Sequence, residues 1–386
     1  RLGKSGGAKI APKTLGFGTQ NAQTAAVVET EVVGTSLEAI RAAGQHLLRG
    51  DVVALPTETV YGLAAIATDE IAVEKIFSTK ERPSFDPLIV HVNAPANSPL
   101  AWLEAQAVVD LSPLEELARV RSNALLEAFW PGPLTLVLPV GESIPRIVTS
   151  GLDTVALRKP DHPVFDAVLR QVAKPLAAPS ANRFGRISPT RAEDVLAELR
   201  GRVGLIVDGG ASRVGIESTV LRAEPRGDFT LLRAGGTPRA TIEAHVGPLM
   251  RPPRDDVSAP GRMTSHYAPT IPLHRLPDRL AAVDESTLAQ LANQAASEAL
   301  GVLLIDATDP ATEQRLRRLG PRAHRILTSS GDDHEAARTL FRSMRELEQA
   351  RVDRIVAEPV PQREGLWPAI AERLEKASTP WPTNSR

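Results

Sequence analysis

The sequence contains no cysteine. That excludes a disulfide framework, a thiolate nucleophile, an iron–sulfur cluster and a thiolate zinc site, and fits a reducing cytoplasm. No run of 18 uninterrupted apolar residues is present, so no spanning helix and no membrane partner are expected. Excess charge of either sign is missing too, with 45 Lys and Arg against 46 Asp and Glu. This balance excludes bulk attraction to nucleic acid and leaves only a local patch for any RNA contact. The familiar signatures G-x-x-x-x-G-K-[ST], G-x-G-x-x-G after a strand, H-E-x-x-H and G-x-S-x-G are all absent. None of the eight histidines pairs with another at i, i+4, so no histidine-built metal site is expected.

At 386 residues the chain is long enough for two domains. Residues 1–34, rich in Gly, Ala, Thr and Gln, read as a disordered tail. Thr35-x-x-Glu38 then reads as a capping box opening a helix. Strand patterns lie at 52–55, 88–90, 134–138, 154–157, 205–207 and 229–232, and helical patterns near 70–79, 114–129, 164–172 and 191–199. Some of these strands follow one another without a helix, which points to an α/β domain over 35–249 with a mixed sheet. Residues 250–269 hold Pro252, Pro253, Pro260 and Gly261 without periodicity and read as a linker. A smaller α/β domain follows over 270–378, with strands at 302–305 and 354–357 and a helix at 334–350.

Four segments put polar groups at the ends of apolar strands, where α/β sheets place ligands. Pro56-Thr57-Glu58-Thr59-Val60-Tyr61-Gly62 offers hydroxyls and a carboxylate around a turn, or simply a satisfied Thr turn. Val73, Ile76 and Phe77 form a helical stripe that Lys80-Glu81-Arg82-Pro83 ends. Pro83 extends the chain, placing Lys80 and Arg82 past the apolar stripe, as ligand-binding cations or as partners of the helix dipole. The strand that follows ends in His91, an imidazole for a pocket or for the core. In Pro179-Ser180-Ala181-Asn182 an extended backbone sets Ser180 and Asn182 on one side, and Ser188 or Thr190 reads as the cap of the next helix. The fourth segment runs through Asp208-Gly209-Gly210 and Glu217-Ser218-Thr219 to Leu232-Arg233-Ala234-Gly235.

Lys80-x-Arg82, Ser180-x-Asn182 and the 56–62 segment together resemble the YrdC/Sua5 family of threonylcarbamoyl-adenylate synthases. The resemblance extends through Trp130-Pro131-Gly132-Pro133-Leu134-Thr135, Gly151-Leu152-Asp153-Thr154-Val155-Ala156-Leu157-Arg158 and Glu217-Ser218-Thr219. With Ser265-His266-Tyr267-Ala268-Pro269 and a second domain it is similar to the long Sua5 form, covering residues 36–376. Asp86 stands where the family commonly has Asn.

This resemblance implies an α/β fold in which a YrdC-like twisted mixed sheet is joined by a Pro-rich linker to a smaller Rossmann-like Sua5 domain. It implies that L-threonine, bicarbonate or CO2, and ATP give threonylcarbamoyl-AMP and pyrophosphate. That product feeds a downstream tRNA threonylcarbamoyltransferase complex, which modifies adenosine 37 of tRNA. Lys80 and Arg82 are implied as catalytic and, with Ser84, Thr154, Ser180, Asn182, Ser188, Arg233 and Tyr267, as ATP contacts. Thr57, His91, Arg158 and Ser218 are implied around L-threonine. Mg2+ is expected to come bound through the ATP phosphates, with no protein metal ligands, and Tyr267 is expected to be folded back over the pocket by the linker. A rival reading is a double-stranded RNA- or tRNA-binding factor using Arg183, Arg186, Arg191, Arg200 and Arg202.

Overall fold

A computed structural model of the chain describes residues 28–253, 266–306 and 309–382. Residues 1–27 of the expected tail, and 254–265 of the expected linker including Ser265, lie outside the described residues. The N-terminal part runs β1 (Glu31–Val33), α1 (Leu37–Leu48), β2 (Val53–Leu55), β3 (Gly62–Ile66), α2 (Glu70–Lys80), β4 (Ile89–His91), α3 (Pro99–Ala105) and α4 (Glu116–Phe129). It continues β5 (Leu134–Pro139), β6 (Thr154–Arg158), α5 (Pro163–Val172), β7 (Leu176–Ala177), α6 (Ala192–Leu199), β8 (Leu205–Val207), β9 (Thr219–Ala223), β10 (Phe229–Arg233) and α7 (Arg239–Val246). The C-terminal part comprises β11 (Leu273–Arg275), α8 (Glu285–Ser297), β12 (Leu300–Leu304), α9 (Pro310–Leu319), β13 (Ala323–Ile326), α10 (Asp333–Gln349), β14 (Arg354–Ala357), α11 (Trp367–Ala377) and β15 (Thr379–Pro380).

Among the described residues the first ten strands form one mixed sheet in the order β1-β8-β2-β3-β7-β4-β6-β5-β9-β10. The last five form a separate, wholly parallel sheet, β13-β12-β14-β11-β15, with helices as its connections. The fold is therefore mixed α/β with a smaller parallel-sheet domain behind it. Its central strands are buried along their length, as continuous apolar runs such as Leu205-Ile206-Val207 require.

Three local readings are corrected. Glu31-Val32-Val33, assigned to the tail, is an edge strand whose β-branched residues pair in parallel with 205–207. The first helix is capped by Ser36, whose hydroxyl accepts from Ala39 N, because the chain is still extended at that residue. The helix after Ser188 and Thr190 is capped by neither: Asp194 reaches back to accept from the backbone of Thr190 and Arg191, satisfying amides that a hydroxyl would otherwise take. Strands β3 and β7 escaped the pattern search because a Gly- and Ala-containing strand and a two-residue run carry little alternation.

The two sheets share an apolar seam. Val60, Ile187, Ile216 and Tyr267 belong to the same buried cluster as Leu340, Phe341 and Met344 of α10. Arg345 of that helix donates to the Ile187 carbonyl and to Glu198, and Arg186 faces Glu348. Gly215 has φ +81, and a Cβ there would lie 2.4 Å from Arg338 Cα, so only glycine permits this approach.

Candidate active site

The pocket lies at the middle of the large sheet, where strand register sets its walls. β4 and β6 run in parallel with His91 opposite Arg158, and β2 and β3 are antiparallel with Leu55 opposite Gly62. The loop between β2 and β3 hangs over that end, and a bridge between Gly62 and Ser180 brings the third polar segment alongside. Thr57, Thr59, Arg82, His91, Arg158, Ser180, Glu217, Ser218, Arg233, His266 and Tyr267 all line one concavity, with Ile89 and Ala178 as its apolar floor. Its free volume is about 50 Å³, room for a few waters and far too little for a nucleotide.

Arg82 follows directly on α2, which Asp69 caps and Glu81 ends in a left-handed conformation, φ 54. Its guanidinium pairs with Asp86 at 2.9 Å and donates to the carbonyls of Asp86 and Pro87. Lys80 behaves differently from the expectation. It is the last residue of the helix, 1% exposed, and its ammonium donates to the Ser180 and Asn182 carbonyls rather than lining the concavity. Burial, and Arg82 second, hold its pKa well below the ordinary lysine value.

The expected partnership of Ser180 and Asn182 is corrected as well. The extended run stops at the bridge, the chain bends at Ala181, and Asn182 turns its amide onto the Arg183 and Arg186 carbonyls. Ser180 alone of the two lines the pocket. Ser188 is buried and donates to Glu217 at 2.6 Å. Thr154 sits half-buried at the start of β6, four residues from Arg158, and Ser84 is exposed in the turn after Arg82; neither lines the concavity.

On the other wall Arg158 donates to the Thr59 hydroxyl at 2.9 Å and pairs with Glu58 at 2.6 Å, both ions nearly sealed from solvent. The Thr57 hydroxyl closes a Thr turn, donating to the Val60 carbonyl while accepting from Val60 N. His91 is buried with its ring 5.1 Å from that of Phe165; burial, then Arg158, lowers its pKa to about 3, so the imidazole is neutral. Ser218 shares a hydrogen bond with Thr135 and accepts from Arg233.

Tyr267 lines the site as well. It is buried with φ 64, in the left-handed region that few non-glycine residues occupy, and its ring packs on Phe341 and His266. Burial raises its phenol pKa and lowers that of His266 to about 3. Glu58, Thr59, Glu217 and His266 stand inside the quoted motifs but carry no assigned ligand role there, and Arg373 lies outside every motif. The two glutamates could have been found by asking which acids inside the motifs balance the arginines. Arg373, 156 residues from Glu217, left no such signal.

The arginines of the rival RNA reading are largely spoken for: Arg183 and Arg202 share Glu81, Arg186 faces Glu198 and Glu348, and Arg191 pairs with Glu193. No described helix is long and apolar enough to cross a membrane.

Residues 45–235 match the Sua5/yciO/yrdC family, described as telomere recombination, and residues 237–379 match the family described as threonylcarbamoyl-AMP synthase, C-terminal domain. A threonylcarbamoyl-AMP synthase of Pyrococcus abyssi is 37% identical over 353 residues, covering 88% of this chain and 94% of the relative. One from Bacillus subtilis is 37% identical over 363 residues, covering 90% and 95%. The crystal structure of P. abyssi Sua5 complexed with L-threonine superposes with a TM-score of 0.77 at 35% identity, covering 90% of this chain and 98% of the other. With both parts matched in order and nearly the whole length aligned, the chain belongs to the Sua5/YrdC family of threonylcarbamoyl-AMP synthases.

Proposed function

We propose that this pocket joins L-threonine, bicarbonate or CO2, and ATP into threonylcarbamoyl-AMP with release of pyrophosphate, a nucleotidyl transfer. The observation that carries the reading is the gathering of Arg82, Arg158 and Arg233 with Thr57, Thr59, Ser180 and Ser218 in one buried concavity. A carbamate and a polyphosphate are both anions, and they approach each other only where cations offset their repulsion. Arg82 and Arg233 are assigned to the phosphates, since a planar guanidinium bonds two oxygens at once. Arg158 is assigned to the threonine carboxylate, with the neutral His91, Thr57 and Ser218 about the amine and hydroxyl.

Lys80 is assigned a bracing role, holding the Ser180–Asn182 backbone against the end of α2. Ser84, Thr154, Asn182 and Ser188 are kept as contacts made when the nucleotide is seated. Little covalent chemistry falls to the protein, so its contribution is positioning and charge. The threonine amine first adds to the carbon of CO2 and gives up a proton to solvent, forming the carbamate; its oxygen then attacks the α-phosphorus, the bond from that phosphorus to the bridging β-phosphate oxygen breaks, and pyrophosphate leaves with the electron pair. Tyr267 and His266 occupy the mouth and exclude water from a product that hydrolyses easily. Because the free volume cannot hold ATP, this segment moves aside before the nucleotide binds.

Glu58, Asp86 and Glu217 each pair with an arginine. That fits Mg2+ arriving on the ATP phosphates rather than in a protein cage. The adenylate would pass in the cytoplasm to a tRNA threonylcarbamoyltransferase complex. One incubation with ATP, bicarbonate and L-threonine, followed by mass analysis of the nucleotides, tests the reading. Threonylcarbamoyl-AMP is expected, and valine in place of threonine should give little product, because a site that bonds a hydroxyl rejects an analogue lacking it by about 10⁴. Absence of the adenylate, or equal turnover of valine, overturns it.

A further inference from the structure

Glu217 is a carboxylate in the wall of a pocket read as a polyphosphate site. Left bare there, it would repel the nucleotide. Its Oε1 accepts from the Ser188 hydroxyl at 2.6 Å, and its Oε2 accepts from Arg373 Nε at 2.7 Å. Arg373 belongs to α11 of the C-terminal domain and is 1% exposed. Its Nη1 donates across the seam to the Ala234 carbonyl, one residue beyond Arg233, and within its own helix to Ala369. The same guanidinium lies 5.7 Å from the ring centroid of Tyr267. One side chain thus touches the pocket acid, the segment after a pocket arginine, and an aromatic that lines the pocket.

We propose that Arg373 is a positioning residue for the nucleotide, delivered by the second domain: it supplies the larger share of the positive charge that offsets Glu217, so the pocket wall presents least negative charge to the phosphates when that domain is seated. An ion pair buried in an interface is a weak source of stability, and an apolar pair of similar volume would hold two domains as well. What this pair changes is the charge of the pocket wall. Burial alone would raise the Glu217 pKa, yet Arg373, then Arg233 and Ser188, hold it below the usual carboxylate range. The acid stays ionised, with Arg373 of the second domain as its largest compensating charge and Arg233 of its own domain as the next. Domain seating and nucleotide binding are then linked through one charge, each favouring the other.

This rests on the pocket being the ATP site, and the experiment separates the two. Full-length wild type, Arg373→Gln, Arg373→Lys and the Glu217→Gln/Arg373→Gln double variant are compared by calorimetric binding of ATP and of L-threonine and by thermal unfolding. Arg373→Gln should weaken ATP binding at least tenfold and leave threonine binding within about twofold. Arg373→Lys should recover part of the loss, and the double variant most of it, because no anion is left to neutralise. A packing role would not make ATP affinity return when Glu217 also loses its charge. Unchanged ATP affinity in Arg373→Gln, equal loss of both ligands, or a double variant no better than Arg373→Gln overturns the role of Arg373. Should Arg373→Gln fail to fold, the double variant decides alone: near wild-type ATP affinity supports the role and a tenfold loss overturns it. Wild type that binds no ATP overturns the reading of the pocket itself.

Discussion

The guanidinium of Arg82 and the carboxylate of Asp86 lie 2.9 Å apart, both nearly sealed from solvent. The acid stands at the position where the family commonly carries asparagine, and it places a negative charge beside a pocket assigned to polyphosphate. Two unit charges 4 Å apart interact by about 4 kcal/mol at an effective dielectric of 20, so even a third of that is about tenfold in affinity. Asp86→Asn should therefore lower the KM for ATP by roughly tenfold. Arg82 keeps its two carbonyl acceptors, but a buried guanidinium without its counterion should lower stability by about 3 kcal/mol. Steady-state kinetics and urea unfolding check the pair of effects, and an unchanged KM would mean that the charge of Asp86 does not reach the nucleotide.

The sequence places Lys80 past the helix's apolar stripe, as a ligand-binding cation or a partner of the helix dipole. Its ammonium instead satisfies two carbonyls, that of Asn182 buried and that of Ser180 half-buried. Lys80→Ala leaves both without a donor, and each unsatisfied acceptor costs about 1–3 kcal/mol. Activity and stability should fall together, with unfolding free energy down by about 2–6 kcal/mol. An inactive variant of wild-type stability would show that Lys80 serves the chemistry and not the scaffold.

Acid should weaken the protein through His91 and His266. Each has a folded-state pKa of about 3, lowered first by burial, against about 6.5 in the unfolded chain. Below pH 6.5 the unfolded state binds more protons, so stability falls as pH falls, down to pH 3. At pH 5 each histidine should have removed about 2 kcal/mol, at 1.36 kcal/mol per pH unit. Unfolding free energies measured from pH 7.5 to 4.5 give the slope, and His91→Gln should flatten it by about half. A flat profile in wild type would mean that the two imidazoles are reached by solvent.

Much of this was legible because the sequence signals were local. The strand at 205–207, the stripe of α10 and the end of α2 at Lys80-Glu81-Arg82-Pro83 depend on neighbours a few residues away. Arg158 and His91 could be nominated as strand-end residues, though their opposition across β4 and β6 appears only with register. What could not be read were long-range charge pairs: Glu58 with Arg158, and Glu217 with Arg373, lie about 100 and 156 residues apart. Periodicity reports which face of an element is apolar, and says nothing about which acid a buried arginine will meet. The side-by-side placement of Ser180 and Asn182 failed for a similar reason, since an isolated bridge at Ser180 ends the alternation that it assumed.

The seating of the second domain should be breakable at one glycine. Gly215 has a positive φ, and a Cβ there would meet Arg338 Cα at 2.4 Å and the Ala337 carbonyl at 2.7 Å. Those are backbone atoms of α10, so no rotamer change relieves the clash and the helix must shift. Phe341 and Arg345 lie on the same helix and hold Tyr267 and the Ile187 carbonyl. Gly215→Ala should therefore unseat the domain, expose the seam to protease and cut pyrophosphate release, while the large sheet, with its own buried cluster, stays folded. Gly320→Ala supplies the comparison: its φ is also positive, but a Cβ there meets nothing within 4 Å. It should lose only the left-handed backbone penalty of about 1–2 kcal/mol and keep its activity. Equal behaviour of the two variants would assign the effect at Gly215 to backbone strain, and would leave the close approach of α10 without a part in catalysis.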